Sequence, residues 1–224
     1  CYNYDLKFKN IDVLSYYKKK ISSYYINIPY EIKVQMTYDI DESQVIYNNY
    51  IFDSFLESGS FGSVFKYVPK YRNRGISCIA LKLIISKNDT SSILNKIIPE
   101  VKLTSNHNST KCQIINSYNL KLEHKDYDYV RNTNNYYIYK HTEYPINLTM
   151  VCMPLADGDL FDLKDKIKVN FYQKKEMFLY VLNTLLCILN EKGLVYPDIK
   201  LEQILYFKCY LPDNSFKYIY VLAD

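Results

Sequence analysis

The stretch at residues 193–205 reads Gly-Leu-Val-Tyr-Pro-Asp-Ile-Lys-Leu-Glu-Gln-Ile-Leu. Its first residue, Gly193, follows an apolar segment with helical spacing, and glycine is the residue type that most often ends a helix. Asp198 and Lys200 then stand two residues apart in a loop, and Gln203 precedes an apolar pair. The pattern predicts the end of a helix, a loop that presents a carboxylate and an amine, and a strand after it.

This stretch resembles the catalytic loop of eukaryotic-type protein kinases, which reads His-Arg-Asp-Leu-Lys-Pro-x-Asn. The resemblance implies that Asp198 accepts the proton of the attacking hydroxyl and that Lys200 neutralises charge on the transferred phosphoryl group. Gln203 stands where the family has a magnesium-binding Asn. Tyr196 and Pro197 replace His-Arg, so regulation through an arginine that grips a phosphorylated loop is not expected.

A glycine pair further upstream extends the resemblance. Residues 57–64 read Glu-Ser-Gly-Ser-Phe-Gly-Ser-Val between two predicted strands. Gly59, Gly62 and Val64 match the second and third glycines and the valine of the kinase Gly-x-Gly-x-x-Gly-x-Val loop, with Glu57 in place of the first glycine. Glycine lets backbone amides approach phosphate oxygens without a Cβ in the way. The resemblance implies that Phe61, at the hairpin tip, covers the phosphates.

The next predicted strand, at residues 76–85, carries Ile-Ala-Leu-Lys. The kinase resemblance implies that its Ala80 and Lys82 lie at the nucleotide site. A lysine inside an apolar strand is unfavourable unless its ammonium has partners. In the kinase family these are ATP phosphates and a glutamate. Glu100, in a predicted helix at residues 90–105, is the candidate glutamate. Because Pro99 precedes it and interrupts an ordinary helix, a surface acid is an equally good interpretation.

The segment from residue 147 to 161 resembles a strand followed by the kinase hinge. On this alignment Cys152 is the gatekeeper, the backbone of Met153 to Leu155 meets adenine, and Asp159 bonds a ribose hydroxyl. Near the end of the sequence, an apolar strand leads to Ala223 and Asp224. Asp224 matches the Asp of Asp-Phe-Gly, which implies a magnesium ligand.

These motifs predict an α+β, two-lobed, protein-kinase-like fold with a complete antiparallel β N-lobe and the first part of a helical C-lobe. Residues 1–48 are an N-terminal extension of unknown role. Residues 49–224 form the domain, with the N-lobe at 49–152, the hinge at 153–158 and a partial C-lobe at 159–224. The first residue is Cys, so the sequence is expected to be a piece of a longer chain, poorly soluble and inactive alone.

Local patterns predict the elements in more detail. Helices are expected at 11–24 and 90–105, and strands at 30–36, 51–56, 112–118, 147–153, 204–210 and 216–222. Residues 119–145 form a polar insertion, either a surface excursion or a partner site. Asn170 caps a helix that runs to about Glu191. Its apolar positions follow one stripe, expected to be buried: Phe178, Val181, Leu182, Leu185, Leu186 and Leu189.

Composition narrows the functional classes. The net charge is +4, and the basic residues come in short runs, so no nucleic-acid groove is expected. No apolar run is long enough to span a membrane. The six cysteines contain no Cys-x-x-Cys pair, which predicts reduced thiols packed as small hydrophobic groups and a reducing, cytoplasmic location.

Together the motifs predict an ATP- and Mg²⁺-dependent serine/threonine kinase that acts on a protein substrate. A non-catalytic pseudokinase that binds partners through its lobes or through the insertion is the alternative from another class. A small-molecule phosphotransferase is a third possibility. Lys82, Asp198 and Asp224 are the residues on which the catalytic interpretation depends.

Overall fold

A computed structural model describes residues 6–21, 24–38, 43–58, 62–71, 77–87, 112, 115, 117–122, 130–131, 137–138, 146–166, 170–193 and 199–223. The strands are β1 Leu6–Ile21, β2 Tyr24–Tyr38, β3 Ile46–Ser58, β4 Gly62–Pro69, β5 Ile79–Lys87, β6 Tyr118–Leu122, β7 Val130–Arg131, β8 Tyr137–Ile138, β9 Ile146–Pro154, β10 Gly158–Asp159, β11 Ile204–Tyr210 and β12 Phe216–Leu222. The helices are α1 Leu160–Lys166 and α2 Phe171–Lys192, and Leu201–Gln203 is a 3₁₀ turn.

Seven strands form one antiparallel sheet in the order β1-β2-β3-β4-β5-β9-β6. The sheet curves until its two edges approach each other, and Tyr118 Oη on β6 donates a hydrogen bond to Asn10 Oδ1 on β1 at 3.4 Å. The result is a nearly closed, barrel-like sheet. A second sheet has the order β10-β11-β12, and β7 pairs with β8.

The interior of the seven-stranded sheet holds the main core. Side chains from β1 to β5 and β9 meet there, and Ile32, Val34, Leu81 and Cys152 are completely buried. Tyr67 is also completely buried, and its hydroxyl donates a hydrogen bond to the Pro29 carbonyl. Burial raises the pKa of Tyr67 because the phenolate would lose its hydration.

Helix α2 has the predicted bounds and caps. The Asn170 side chain accepts a hydrogen bond from the Gln173 N–H at 2.9 Å, and the Gln173 side chain accepts from the Asn170 N–H at 3.0 Å. Gly193 is left-handed, with φ at 63°, and its N–H donates to the Leu189 carbonyl at 2.8 Å. A capping box therefore begins the helix, and a glycine cap ends it.

The buried face of α2 matches the predicted one only in part. Phe178, Leu182 and Leu186 are exposed, Phe178 by 67%, whereas Val181 packs against the core as predicted. The other side chains on the buried face lie outside the predicted stripe, and they are Met177, Tyr180, Thr184 and Ile188. Both sets recur at intervals of three and four residues, so helical periodicity alone does not distinguish them.

The predicted kinase-like fold is wrong. The described residues are mostly in strands, and they form a nearly closed seven-stranded sheet. They contain two helices longer than one turn, which do not make up a kinase-like helical C-lobe. Strands β1 and β2, from the predicted extension, belong to the same sheet as β3 to β5. The predicted boundary after residue 48 falls inside β3.

The helix predicted at residues 11–24 is also wrong, because that segment is most of strand β1. Register shifts interrupt its pairing with β2 between Phe8 and Asn10 and again after Val13. A bulge adds one residue, so Phe8 and Ile11 both face the core although they are three apart. This spacing imitates that of a helix.

Two further predictions concern the middle of the chain. The strand expected at 112–118 begins only at Tyr118, and Cys112 is helical. The predicted insertion at 119–145 contributes most of β6, as well as β7 and β8. The helix expected at 90–105 lies outside the described residues. Strands expected at 30–36, 51–56, 147–153, 204–210 and 216–222 are confirmed.

Cys112 and Cys187 form a disulfide that joins the segment before β6 to α2, with their Cα atoms 5.4 Å apart. The prediction of reduced thiols is wrong for this pair and for Cys209, which is also disulfide-bonded, and it is confirmed for Cys78 and Cys152, which are free. The pairing of Cys112 with Cys187 could not be predicted from the sequence, because the two residues are far apart in it and only the fold brings the two thiols together.

Within the described segments, neither α1 nor α2 has the length and apolar character needed to cross a membrane.

Candidate functional site

A cleft of about 280 Å³ lies between the two larger sheets, near the lower end of the size range of small-molecule sites. One wall comes from β3, β4 and β5, and the segment from Met153 to Asp159 forms its back. The opposite wall comes from α1, the 3₁₀ turn, β11 and the end of β12. The lining residues are Leu56, Glu57, Val64, Ala80, Lys82, Met153, Pro154, Leu155, Ala156, Asp157, Gly158, Asp159, Asp162, Glu202, Gln203, Leu205 and Ala223.

Strand alternation places Lys82 in this cleft. Val64 lies directly opposite Lys82 across the β4–β5 pairing, and Ala80 is two residues earlier on the same face. Leu81 points the other way, into the core of the seven-stranded sheet. Lys82 is only 8% exposed. A positive charge in the lining of the cleft suits a negatively charged ligand.

The segment behind the cleft is fixed to β11. The Asp157 N–H donates to the Tyr206 carbonyl at 3.0 Å, and the Asp157 carboxylate accepts from the Lys208 N–H at 2.6 Å. Gly158 lies opposite Tyr206 in the β10–β11 pairing. A Cβ at position 158 would come within 2.9 Å of the Tyr206 ring, so this close approach requires glycine.

Asp159 begins helix α1. Its carboxylate accepts the Asp162 N–H at 2.8 Å, as a helix N-cap does. Both acids also line the cleft. A carboxylate has about four acceptor positions, so the cap leaves Asp159 with the capacity to accept a ligand hydroxyl. The predicted ribose contact of Asp159 stays a prediction.

Backbone hydrogen bonds hold Gln203 at the floor of the cleft. The Ala223 N–H donates to the Gln203 carbonyl at 2.8 Å, which ties the end of β12 to the 3₁₀ turn. The Gln203 side-chain oxygen accepts the Lys200 N–H at 2.9 Å. Lys200 itself is exposed and does not line the cleft. Asp224, next after Ala223, lies outside the described residues.

The cleft brings together seven of the predicted site residues: Val64, Ala80, Lys82, Met153, Leu155, Asp159 and Gln203. Gly62 is the first residue of β4. Five more lie outside the described residues: Gly59, Phe61, Glu100, Asp198 and Asp224. The residues converge although the predicted fold class is wrong, because they come from four strands, the segment between β9 and β10, and the 3₁₀ turn.

The gatekeeper prediction for Cys152 is wrong. This side chain is completely buried inside the seven-stranded sheet and does not line the cleft. Burial raises the pKa of its thiol, because a thiolate there would lose its hydration. Val151 and Met153, on either side of Cys152, instead pack together with Ile84 on the other face of the sheet.

Sequence reasoning missed several lining residues, chiefly Leu56, Asp157, Asp162, Glu202 and Leu205. One signal for Asp162 was available: it follows Asp159 by three residues in a predicted helix start, and such neighbours share a helix face. Among the described residues, the carboxylates that line the cleft are Glu57, Asp157, Asp159, Asp162 and Glu202, and the one lysine is Lys82. An anionic ligand that carries its own cation suits this balance of charge better than a bare anion.

The resemblance also implies magnesium, and the donor chemistry fits it. Mg²⁺ prefers oxygen ligands, and Gln203 contributes a carbonyl oxygen that keeps a second lone pair after its bond to the Lys200 N–H. Gln203 and Asp224 are the residues that would hold the ion. Across the described segments, no group of three or more His, Cys, Asp or Glu side chains is arranged to bind a metal.

No model of a protein family matches the sequence, and no curated protein matches it. The cleft is therefore the feature of the molecule that bears on function. Its three relevant properties are the buried amine of Lys82, an apolar slot and an oxygen-rich opposite wall.

Proposed function

We propose that this cleft binds the magnesium complex of ATP and that the protein is a kinase that transfers the γ-phosphoryl group to serine or threonine hydroxyls of a protein substrate. The proposal rests mainly on one observation: Lys82, which is only 8% exposed, lines the same cleft as Gln203. A positive charge on one wall and a carbonyl oxygen on the other suit a ligand whose phosphates lie between them.

The apolar part of the cleft suits a flat aromatic base. Leu56, Val64 and Ala80 come from the seven-stranded sheet, Leu205 comes from the three-stranded sheet, and Ala223 directly follows β12. Small and branched side chains on opposing walls form a slot, and a purine ring buries apolar area against both. This slot and Lys82 are contiguous parts of one cleft, as the base and the phosphates of one nucleotide require.

The remaining roles follow from the kinase resemblance. Asp198 would accept the proton of the substrate hydroxyl, and Lys200 would neutralise charge on the transferred group. Glu100 is the candidate partner of the Lys82 ammonium, and Gly59, Phe61 and Gly62 would cover the phosphates. Magnesium, when bound through Gln203 and Asp224, would neutralise charge on the β- and γ-phosphates.

The test compares binding with transfer. Lys82→Met should weaken binding of ATP by about tenfold or more, because a charge-assisted hydrogen bond to phosphate is lost. Lys66→Met is the matched control, since Lys66 lies on neighbouring β4, pairs with Asp53 at 3.3 Å and does not line the cleft. Calorimetry on the full chain measures both. Equal binding by wild type and Lys82→Met would contradict the proposal.

Transfer is tested separately with radiolabelled ATP and a protein substrate mixture. Asp198→Asn should reduce incorporation by about a hundredfold or more, because a general base contributes that much. It should leave ATP binding nearly unchanged. Equal incorporation by the wild type and Asp198→Asn would remove the catalytic claim.

One observation favours the non-catalytic alternative. The Gln203 side-chain oxygen already accepts the Lys200 N–H, which reduces its capacity as a metal ligand. A pseudokinase would bind ATP with the Lys82 dependence described above but would incorporate no label. Binding without transfer therefore selects this alternative.

A further inference from the structure

The short segment before β6 passes from the core of one sheet to the edge of the other. Cys112 is 7% exposed and packs with buried side chains of α1, α2, β11 and β12. Tyr118, which follows it closely in sequence, begins β6 and lies opposite Cys152 of β9 in the seven-stranded sheet. Because the segment contacts both sheets, its position affects how they are placed across the cleft.

Two contacts attach this segment to the side of the cleft formed by β11, β12 and the helices. The Ile115 N–H donates to the Leu222 carbonyl of β12 at 2.9 Å. The disulfide joins Cys112 to Cys187 of α2, which is 75 residues away in sequence. The hydrogen bond of Ile115 can open locally, and the nearby cross-link limits how far the segment then moves from β12.

Backbone hydrogen bonds continue from this segment into the cleft. Leu222 accepts from Ile115, and the next residue, Ala223, donates its N–H to the Gln203 carbonyl at 2.8 Å. Ala223 and Gln203 both line the cleft, on the wall that faces Lys82. The disulfide is therefore connected to this wall through Ile115 and the end of β12.

We infer that the oxidation state of Cys112 and Cys187 regulates the affinity of the cleft for nucleotide. This inference depends on the proposed function and adds a means of regulation to the same site. With the disulfide formed, the wall that carries Gln203 is held in place opposite Lys82. Reduction releases the segment, so binding must also order this wall, and the affinity for nucleotide falls.

The reductant is a small thiol such as glutathione. Its thiolate attacks one sulfur of the disulfide and forms a mixed disulfide, and the other cysteine leaves as a thiolate and takes up a proton. A second thiol then resolves the mixed disulfide. The protein gains two electrons and two protons, and two glutathione molecules become one oxidised dimer. Attack is expected at Cys187, which is only partly buried, and not at Cys112.

The main experiment measures binding of magnesium–ATP to the full chain by calorimetry before and after treatment with reduced glutathione. Peptide mapping of the alkylated protein reports whether the Cys112–Cys187 disulfide is closed or open. When it is open, the dissociation constant should rise by at least about threefold, and reoxidation should restore it. A smaller rise overturns the inference, as do free thiols at both positions before treatment. If the oxidised protein binds no ATP, the proposed function is wrong as well.

A double variant separates this disulfide from that of Cys209, which glutathione can also reduce. Cys112→Ser combined with Cys187→Ser should bind ATP as weakly as the reduced wild type, with or without glutathione. Cys78→Ser is the matched control, because it makes the same change at a free, partly exposed thiol. It should keep both the affinity and the response to glutathione. A double variant that binds as tightly as the oxidised wild type overturns the inference, and if that variant does not fold, the reduced wild type decides.

Hydrogen exchange distinguishes local release of the wall from general destabilisation. Opening the disulfide should accelerate exchange of the Ile115 and Ala223 N–H groups by a larger factor than that of Ile32 and Leu81, which lie inside the seven-stranded sheet. This readout does not depend on ATP. Equal acceleration at all four positions, or none at Ile115 and Ala223, overturns the inference.

Discussion

The interior of the seven-stranded sheet and the outer face of helix α2 are both rich in large apolar side chains, yet they have different surroundings. Ile32, Val34 and Leu81 are completely buried in the sheet. Phe178 and Leu186, on α2, are 67% and 47% exposed. The sequence shows apolar periodicity in both places. The difference shows that periodicity identifies an apolar face, whereas its contribution to stability depends on what covers that face.

The largest expected difference separates a buried leucine from an exposed one. Leu81→Ala should destabilise the protein by about 2–5 kcal/mol, because it leaves a cavity in a closed core. Leu186→Ala makes the same chemical change on α2 and should cost less than about 1 kcal/mol, because its side chain is already partly hydrated. Urea denaturation measures both free energies of unfolding. Equal losses would show that the exposed face of α2 is covered in solution.

A smaller effect is expected where the two larger sheets meet at the cleft. Gly158→Ala should cost about 1–3 kcal/mol and weaken ATP binding, because the new Cβ would lie 2.9 Å from the Tyr206 ring. Replacing Tyr206 by Leu at the same time should recover part of the loss, so the two changes should not be additive. Denaturation gives the stability of the single and double variants, and titration gives their affinity for ATP. Additive losses would contradict a contact between the new Cβ at position 158 and the Tyr206 ring.

The start of α2 extends the comparison of the two regions. There the contribution of a local hydrogen bond to stability can be measured separately from that of side-chain packing. Asn170→Ala should destabilise the protein by about 1 kcal/mol, since the Gln173 N–H loses its acceptor. Asn183→Ala is the matched control at an exposed position inside the same helix. It should be neutral or slightly stabilising, because alanine favours helix more than asparagine. The helical circular dichroism signal during melting distinguishes them.

The smallest effect on stability is expected from removing an ion pair on the outside of the seven-stranded sheet. Lys70 donates to Glu31 at 2.8 Å, and Asn49 also donates to this carboxylate at 2.9 Å. The hydrogen bond from Lys70 and then that from Asn49 lower the pKa of Glu31 below 4.5. The stabilisation is therefore present above 4.5 and is lost as the pH falls through the lowered pKa of the folded state.

Glu31→Gln should reduce the melting temperature slightly at neutral pH and make no difference once the pH is well below 4.5. Lys70→Met should give the same pH dependence. Melting temperatures of the three proteins across an acid series test this. If the melting temperatures of wild type and variants differ more as the pH falls, the ion pair does not stabilise the protein in the way expected here.

Several elements could be predicted from the sequence because their signals are local. Asn170 and Gln173 mark the start of α2 and Gly193 marks its end, through hydrogen bonds between residues close in sequence. Strands β11 and β12 have the predicted bounds, with the turn residues at 212–214 between them. Val64, Ala80 and Lys82 could be placed on one face because strand side chains alternate.

Only the tertiary structure decided the features that depend on distant parts of the chain. The bulges of β1 follow from its pairing with β2, and they gave a strand the spacing of a helix. Cys152 could have faced the cleft or the core, and the register of β9 against β5 placed it in the core. The same register directs Leu155 toward Cys78. The sequence determined the capped helix and the strands that alternate regularly. Long-range pairing determined which of their faces meet at the cleft, because a shift of one residue reverses every side chain of a strand.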